Sequence, residues 1–451
     1  MTRAGKLVSS RNAARALWDS VRTSLWFLPA ILAVIAPALT FGALRMDDWL
    51  GQGPDNSFFP MIYVSDPGQA RDLLSTILTS IITMASLVFS ITMVVLTLAA
   101  GQFGPRLVRN FMGRLQTQFV LGTFVMTILY CLLLLASIGP GGNEDSNAYL
   151  SVTIAIGLTV VSVVLLILYI HELATSIMSE TLIEAVGREL DQGVRELPPL
   201  DRTDDPEQAL PDDFDQKAAL SDIGTSGYVQ AIEFQRIVDA AQAHDVLIGL
   251  YLRAGDFAIR NGRAFGIYPA ERATPELAAL VSGSITLGTH RTPVQDLEFS
   301  IRHLVEVAVR ALSPGINDPY TAVSVIHRLS ASWPHMMERS VPPGVFYDDN
   351  ACLRLICPRS THAGLLNASF SQIRQNGADK PLILIHLLKA FRAMSYCVRS
   401  DEQREALRDQ VHAILEDARR EVSNQADLKD VEQHAEWAMD ALEPCTVRHQ
   451  A

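Results

Sequence analysis

The stretch LLSTILTSIITMASLVFSITMVVLTLAA, Leu73 to Ala100, decides the fold. No charge occurs between Asp72 and Arg106. About 20 apolar residues carry a helix across a bilayer, so this one is longer than a crossing needs and must tilt or run on into water. It also carries Thr76, Thr79, Ser80, Thr83, Ser86, Ser90 and Thr97 at three- and four-residue steps. That spacing gathers most of the hydroxyls on one helical face. Such a stripe is suited to lining a water-filled path, its oxygens replacing part of an ion's hydration shell. The alternative is packing, because small Ser and Thr let membrane helices approach closely and hydrogen-bond.

Working outward, Thr23–Leu44, Gln118–Ile138 and Ala148–Ile170 are also apolar enough to cross, giving spans at about 23–44, 73–100, 118–138 and 148–170. The first is too long for a signal peptide and lacks a small-residue cleavage pattern. Its Pro29 and Pro37 remove N–H donors and leave carbonyls to be satisfied elsewhere. Arg3, Lys6, Arg11, Arg15 and Arg22 precede it, and Arg106, Arg109 and Arg114 lie between the second and third spans. The other two connections are acidic, with Asp47, Asp48, Asp55 and Asp66 in one and Glu144 and Asp145 in the other. By the positive-inside rule both termini are cytoplasmic, with Arg106 and Arg109 placed to meet lipid headgroups. No ionisable residue sits in the middle of a span, which argues against a proton-driven pump and not against a passive channel.

The halves of the chain differ. Residues 1–170 hold 10 basic and 8 acidic side chains, and the remainder holds 27 and 41. Overall the chain is 49% hydrophobic and only 19% charged, with a net charge of −12, below the roughly 25% charge of soluble chains. A secreted protein and a basic nucleic-acid binder are both excluded, since no positive stripe exists to neutralise phosphates. Cys131, Cys352, Cys357, Cys397 and Cys445 form neither a CxxC pair nor a disulfide framework, which suits a reducing compartment. Cys352 and Cys357 with His335 and His362 lack the close second pair that a zinc site wants.

Residues 171–197 read as a helical extension opening on His171. Residues 198–222, with four prolines and eight acids, read as a linker. Residues 223–290 form a small β-rich piece resembling a half-barrel, with strands at 227–232, 245–251, 257–259 and 264–268 and a helix at 233–243. Asn261-Gly262 is a strong hairpin signal between the last two strands. No GxGxxG follows a strand and no Walker lysine is present, so no cofactor is expected. Residues 291–451 read as helical, with one strand at 351–357 and helices near 363–375, 381–398, 402–422 and 428–442.

The densest polar cluster runs from Arg291 to Ala322. Asp318 before Pro319 is an N-cap followed by Pro at the first helical position, so Ser313-Pro314-Gly315-Ile316-Asn317-Asp318-Pro319 is a tight corner between helices. Asp296, Arg310, Ser313, Asn317 and Asp318 are the candidate polar site. A nucleophile there would need a base; Ser313 beside His303 or His327 qualifies by type, but it lacks the GxSxG elbow.

Gln102-Phe103-Gly104-Pro105-Arg106, Asn110-Phe111, Leu121-Gly122-Thr123-Phe124 and the Ala311-Leu312-Ser313-Pro314-Gly315-Ile316-Asn317-Asp318-Pro319 run resemble a bacterial family of predicted membrane proteins catalogued as a domain of unknown function. Gly104 stands where that family would have Ser. The resemblance implies an inner-membrane location and the same four-span layout, and it implies no activity or catalytic residue. The sequence therefore predicts a mainly α integral membrane protein of four transmembrane helices with a cytoplasmic α+β domain. Its expected partners are the lipid bilayer, further copies of itself and a small inorganic ion. The leading expectation is an oligomeric channel or passive transporter. The alternative is a non-transporting scaffold or stress-signalling module, and the third reading is a membrane-tethered hydrolase.

Overall fold

A computed structural model describes residues 26–50, 67–103, 115–138, 149–176, 179–199, 210–341 and 344–443. The chain divides into two compact units, Met1–Met178 and Ser179–Ala451.

The first unit holds α1 (Phe27–Leu50), α2 (Pro67–Phe103), α3 (Leu115–Ser137) and α4 (Tyr149–Ser176). All four are long and apolar enough to cross a membrane. Helix α3 is the innermost, the most buried of the four along its span. At Gly122 a Cβ would lie 2.6 Å from Leu32 Cδ1 and 3.1 Å from Pro29 Cα, so glycine is what lets α1 lie against α3. Helix α2 packs through Leu74, Ile77, Ile81, Ala85, Val88, Thr92 and Val95, a three-and-four-residue seam along one face.

Several polar groups inside this unit are paired. The hydroxyls of Thr92 and Tyr169 share a hydrogen bond, Thr127 Oγ1 and Ser162 Oγ lie 3.3 Å apart, and Tyr130 donates to the Ser151 carbonyl at 2.9 Å. The first helix runs on past the expected end at Leu44. Arg45, Asp47 and Asp48 are therefore helical, and Asp47 is not a loop acid. Its buried carboxylate accepts from Leu150 N at 2.8 Å, Ser151 N at 3.0 Å and Ser151 Oγ at 2.5 Å. A carboxylate at these positions satisfies orphan N–H donors and meets the positive end of the α4 dipole.

The second unit contains α5 (Ser179–Glu196), α6 (Phe214–Lys217), β1 (Ala219–Ser221), β2 (Gly227–Ile232), α7 (Phe234–His244), β3 (Leu247–Leu250), β4 (Phe257–Ala258), β5 (Phe265–Tyr268), α8 (Pro275–Gly283) and β6 (Ile285–Gly288). It continues with α9 (Leu297–Ala311), α10 (Pro319–Met337), β7 (Val345–Tyr347), β8 (Leu353–Ile356), α11 (His362–Asn376), α12 (Pro381–Ser395), α13 (Asp401–Glu421) and α14 (Gln425–Leu442). Five strands form a sheet in the order β1-β5-β3-β8-β7, and three form a second in the order β4-β2-β6. Among the described strands only β3 and β8 pair in parallel.

Four expectations are corrected. The Asn261-Gly262 turn does not close a hairpin, because β4 pairs with β2 while β5 pairs with β1 and β3. The turn is held from outside instead, Asn261 N donating to Asp222 Oδ2 at 2.8 Å and Arg260 N to Ser226 Oγ at 2.8 Å. The half-barrel is two separate sheets. Residue 290 is no domain boundary, since β7 and β8 complete the larger sheet, and α5 belongs to the same unit, burying Leu182, Ile183, Val186, Leu190 and Val194 against α9 and α10. The end of the supposed 198–222 linker is part of the fold. Helix α6 seats Phe214, 2% exposed, over Gly249 and Gly266, where a Cβ would lie 2.8 Å from the phenyl ring. Replacing Phe214 by Ala leaves that seat empty and should cost about 3–5 kcal/mol. Thermal unfolding of the full chain in detergent, followed by near-ultraviolet circular dichroism, tests this: an unchanged midpoint would show that Phe214 does not anchor the segment.

Candidate functional site

Helix α2 presents two opposite faces. A helix advances about 100° per residue, which sets the seven hydroxyl-bearing residues of the stripe roughly opposite the buried seam. Thr76, Thr79, Ser80, Thr83, Ser86, Ser90 and Thr97 are all exposed in the chain. Leu87 and Val94 share the face and are also exposed. Thr76 donates to the Asp72 carbonyl at 2.8 Å, Thr79 to Ser75 at 2.9 Å, Ser80 to Thr76 at 2.8 Å, Thr83 to Thr79 at 2.9 Å and Thr97 to Met93 at 2.8 Å. A hydroxyl has one proton and two lone pairs. With the proton given to the helix, what faces outward on these five side chains is acceptor oxygen. Arg106 and Arg109, the expected headgroup contacts, lie outside the described residues.

In the second unit the five candidate residues do not converge. Asp296 is the N-cap residue of α9, while Ser313, Asn317 and Asp318 follow its C-terminal end. Fifteen helical residues at about 1.5 Å each separate them by roughly 22 Å. The corner is structural: Asp318 accepts from Thr321 N at 3.1 Å and Thr321 Oγ1 at 2.6 Å, and Asn317 takes a left-handed φ of 50°. Ser313 donates to the Arg310 carbonyl at 2.6 Å. Of its two candidate bases, His303 lies against Phe299 with centroids 4.2 Å apart and the rings tilted by 57°, and His327 faces His386 at 3.2 Å. Cys352 and Cys357 flank opposite ends of β8, and no three metal-ligating side chains gather among the described residues.

Asp296 belongs to a different cluster, one the linear reading missed. It lines a cleft of about 270 Å³ together with Gly193, Glu196, Leu197, Phe234, Arg253, Gln295, Phe346, Cys357 and Ser360. Arg253 donates to Ser360 Oγ at 2.5 Å and to Glu298 Oε1 at 2.7 Å, and Arg302 reaches Glu298 Oε2 at 2.7 Å. Arg291 binds Asp296 Oδ2 through Nε at 2.8 Å and Nη2 at 2.6 Å. Gln295 spans the backbone of Ile232, accepting from its N–H at 2.9 Å and donating to its carbonyl at 3.2 Å. Gly255, at φ 91°, lets the β3–β4 turn pass beneath this pair: a Cβ there would lie 2.4 Å from Asp296 Oδ2. The available signal was Arg253-Ala254-Gly255-Asp256, a turn whose glycine and two charged residues all serve the cleft. Burial makes Cys357 a poor nucleophile, pushing its thiol up to about 11.

The two buried carboxylates titrate in opposite senses. Burial outweighs Arg291 at Asp296 and raises it above its ordinary value. At Glu298 burial also pushes upward, but Arg302 and Arg253 outweigh it and hold the group below 4.5. A carboxylate depressed in the fold contributes stability above its unfolded value and loses it as pH falls through the folded one. Glu298→Gln should therefore flatten the decline of the unfolding midpoint below pH 4.5. Parallel wild-type and variant curves across that range would remove Glu298 from the account.

Residues 22–393 match DUF2254, a family described as predicted membrane protein. Uncharacterized proteins of Mycobacterium bovis and Mycobacterium tuberculosis are each 29% identical to this chain over 452 residues, covering 96% of it and 84% of themselves. No solved structure matches the chain.

Proposed function

The chain belongs to the DUF2254 family of predicted membrane proteins, and from that footing we propose that it is a passive path for small inorganic cations, formed by several copies around α2. The observation that carries this reading is the stripe of exposed hydroxyls turned away from the chain's own bundle. A lone chain would give that face to lipid, where leucine and valine serve better than serine and threonine. A ring of copies gives it to a shared axis, and closed rotational symmetry is the usual way for one chain to build such an axis. Outward acceptor oxygens favour cations over anions. The absence of ionisable residues from the middle of the stripe suits passive movement rather than proton coupling.

The remaining parts follow from the charge pattern. Basic flanks put both termini of this inner-membrane protein in the cytoplasm, and the acidic second unit is then a cytoplasmic regulatory module. A second reading, a non-transporting scaffold or stress-signalling module, is favoured by the cleft at Arg253 and Asp296, which suits a ligand or partner site in its own right. The hydrolase reading draws no support from Ser313, whose hydroxyl donates to the Arg310 carbonyl.

Ion flux into liposomes holding the purified protein separates these readings. Wild-type protein should pass monovalent cations faster than anions, and Thr83→Leu and Ser90→Leu should each reduce the flux while leaving the oligomer intact on size exclusion. Absence of flux for several cations and anions across a range of pH would overturn the channel and leave the scaffold.

A further inference from the structure

Helices α10 and α12 pack side by side, and where their edges reach solvent they bring two imidazoles together. His327 Nε2 lies 3.2 Å from His386 Nδ1. The ring centroids are 5.2 Å apart, with the planes tilted by 56°. His327 is exposed and His386 half-buried, so the pair is accessible without a conformational change. Beneath it the packing is firm: Val325, Ile326 and Leu329 on one helix and Leu384, Leu387 and Leu388 on the other are fully buried. The two nitrogens lie within hydrogen-bond distance of each other on helices that the core holds side by side.

We propose that His327 and His386 form a binding site for a divalent late first-row transition-metal ion of the Zn²⁺ type, with water completing the coordination. The geometry supports it. Metal–imidazole bonds of about 2.0–2.1 Å drawn from nitrogens 3.2 Å apart close an angle of about 100°, near the tetrahedral value. Rings converging on one ion in this way would have centroids about 5.0 Å apart, so the observed 5.2 Å needs only a slight closure. Neutral imidazole selects zinc, nickel or copper over the oxygen-seeking calcium and magnesium. A bound ion would tie α10 to α12, one residue along from Arg328, whose guanidinium already ties α10 to α5 through Asp191 at 2.6 Å. The site is independent of whether α2 conducts.

The test uses untagged full-length protein in detergent, stripped with a chelator and titrated calorimetrically with Zn²⁺ at pH 7.5. Wild type should take up one ion per chain beyond the uptake of the His327→Ala/His386→Ala double variant, and each single variant should bind that ion at least about tenfold more weakly. Zn²⁺ should raise the unfolding midpoint of the wild type and not that of the double variant. Should alanine disturb the fold, His327→Gln and His386→Gln keep the bulk of the side chain and must give the same loss. Equal uptake by wild type and double variant, or none by either, would overturn the proposal.

Discussion

Hydrocarbon offers no hydrogen bonds, and every polar atom placed in it must be satisfied by the protein itself. The first unit obeys that constraint at three scales. Single hydroxyls along α2 give their protons to carbonyls one turn back. Pairs such as Thr92 with Tyr169 and Tyr130 with Ser151 join neighbouring helices. At the end of the first span one carboxylate, Asp47, satisfies three donors at the start of the last. A face that meets the constraint by turning its protons inward is left with oxygen outward, and the case for an ion path rests on that consequence.

The second unit handles charge differently. Its buried ions come as networks, two arginines on Glu298 and one on Asp296, because a lone buried charge would cost several kcal/mol. Arg328 illustrates how closely such a network is built: it lies flat across Gly187, where a Cβ would meet the guanidinium at 2.0 Å, and reaches Glu184 at 3.2 Å and Asp191 at 2.6 Å. Helix α5, the first element of this unit in chain order, is held to α10 by charge as well as by its apolar stripe.

The layout of four apolar helices followed by an α+β region was legible because long uncharged runs have a single explanation. Helical periodicity placed the C-terminal helices within a few residues. Strand pairing was not legible. The Asn261-Gly262 turn carries every local mark of a hairpin, yet its flanking strands belong to different sheets, since pairing is decided by partners such as Asp222 that lie far away in sequence. Phe214 was hidden by its surroundings: one aromatic ring among acids and prolines looks like part of a linker until Gly249 and Gly266 are seen to make room for it. The polar cluster around Asp296 failed for a similar reason. Proximity in sequence is a poor guide here, because α9 carries Arg310, Ser313, Asn317 and Asp318 to its far end, while Arg253, which binds Glu298 beside Asp296, comes from the distant β3–β4 turn.

Both ends of the acidic stretch 200–209 are fastened to the same unit. On one side Ser340 N donates to the Pro198 carbonyl at 2.9 Å and Arg339 to the Leu197 carbonyl at 3.0 Å; on the other Phe214 is seated in the sheet. The described residues on either side of it thus belong to one unit. Lengthening such a stretch costs little, because loop-closure entropy grows only with the logarithm of length. It is the natural place to splice in a fluorescent protein or an affinity epitope, giving a reporter that rides on the second unit while the number of residues from α4 into α5 stays native.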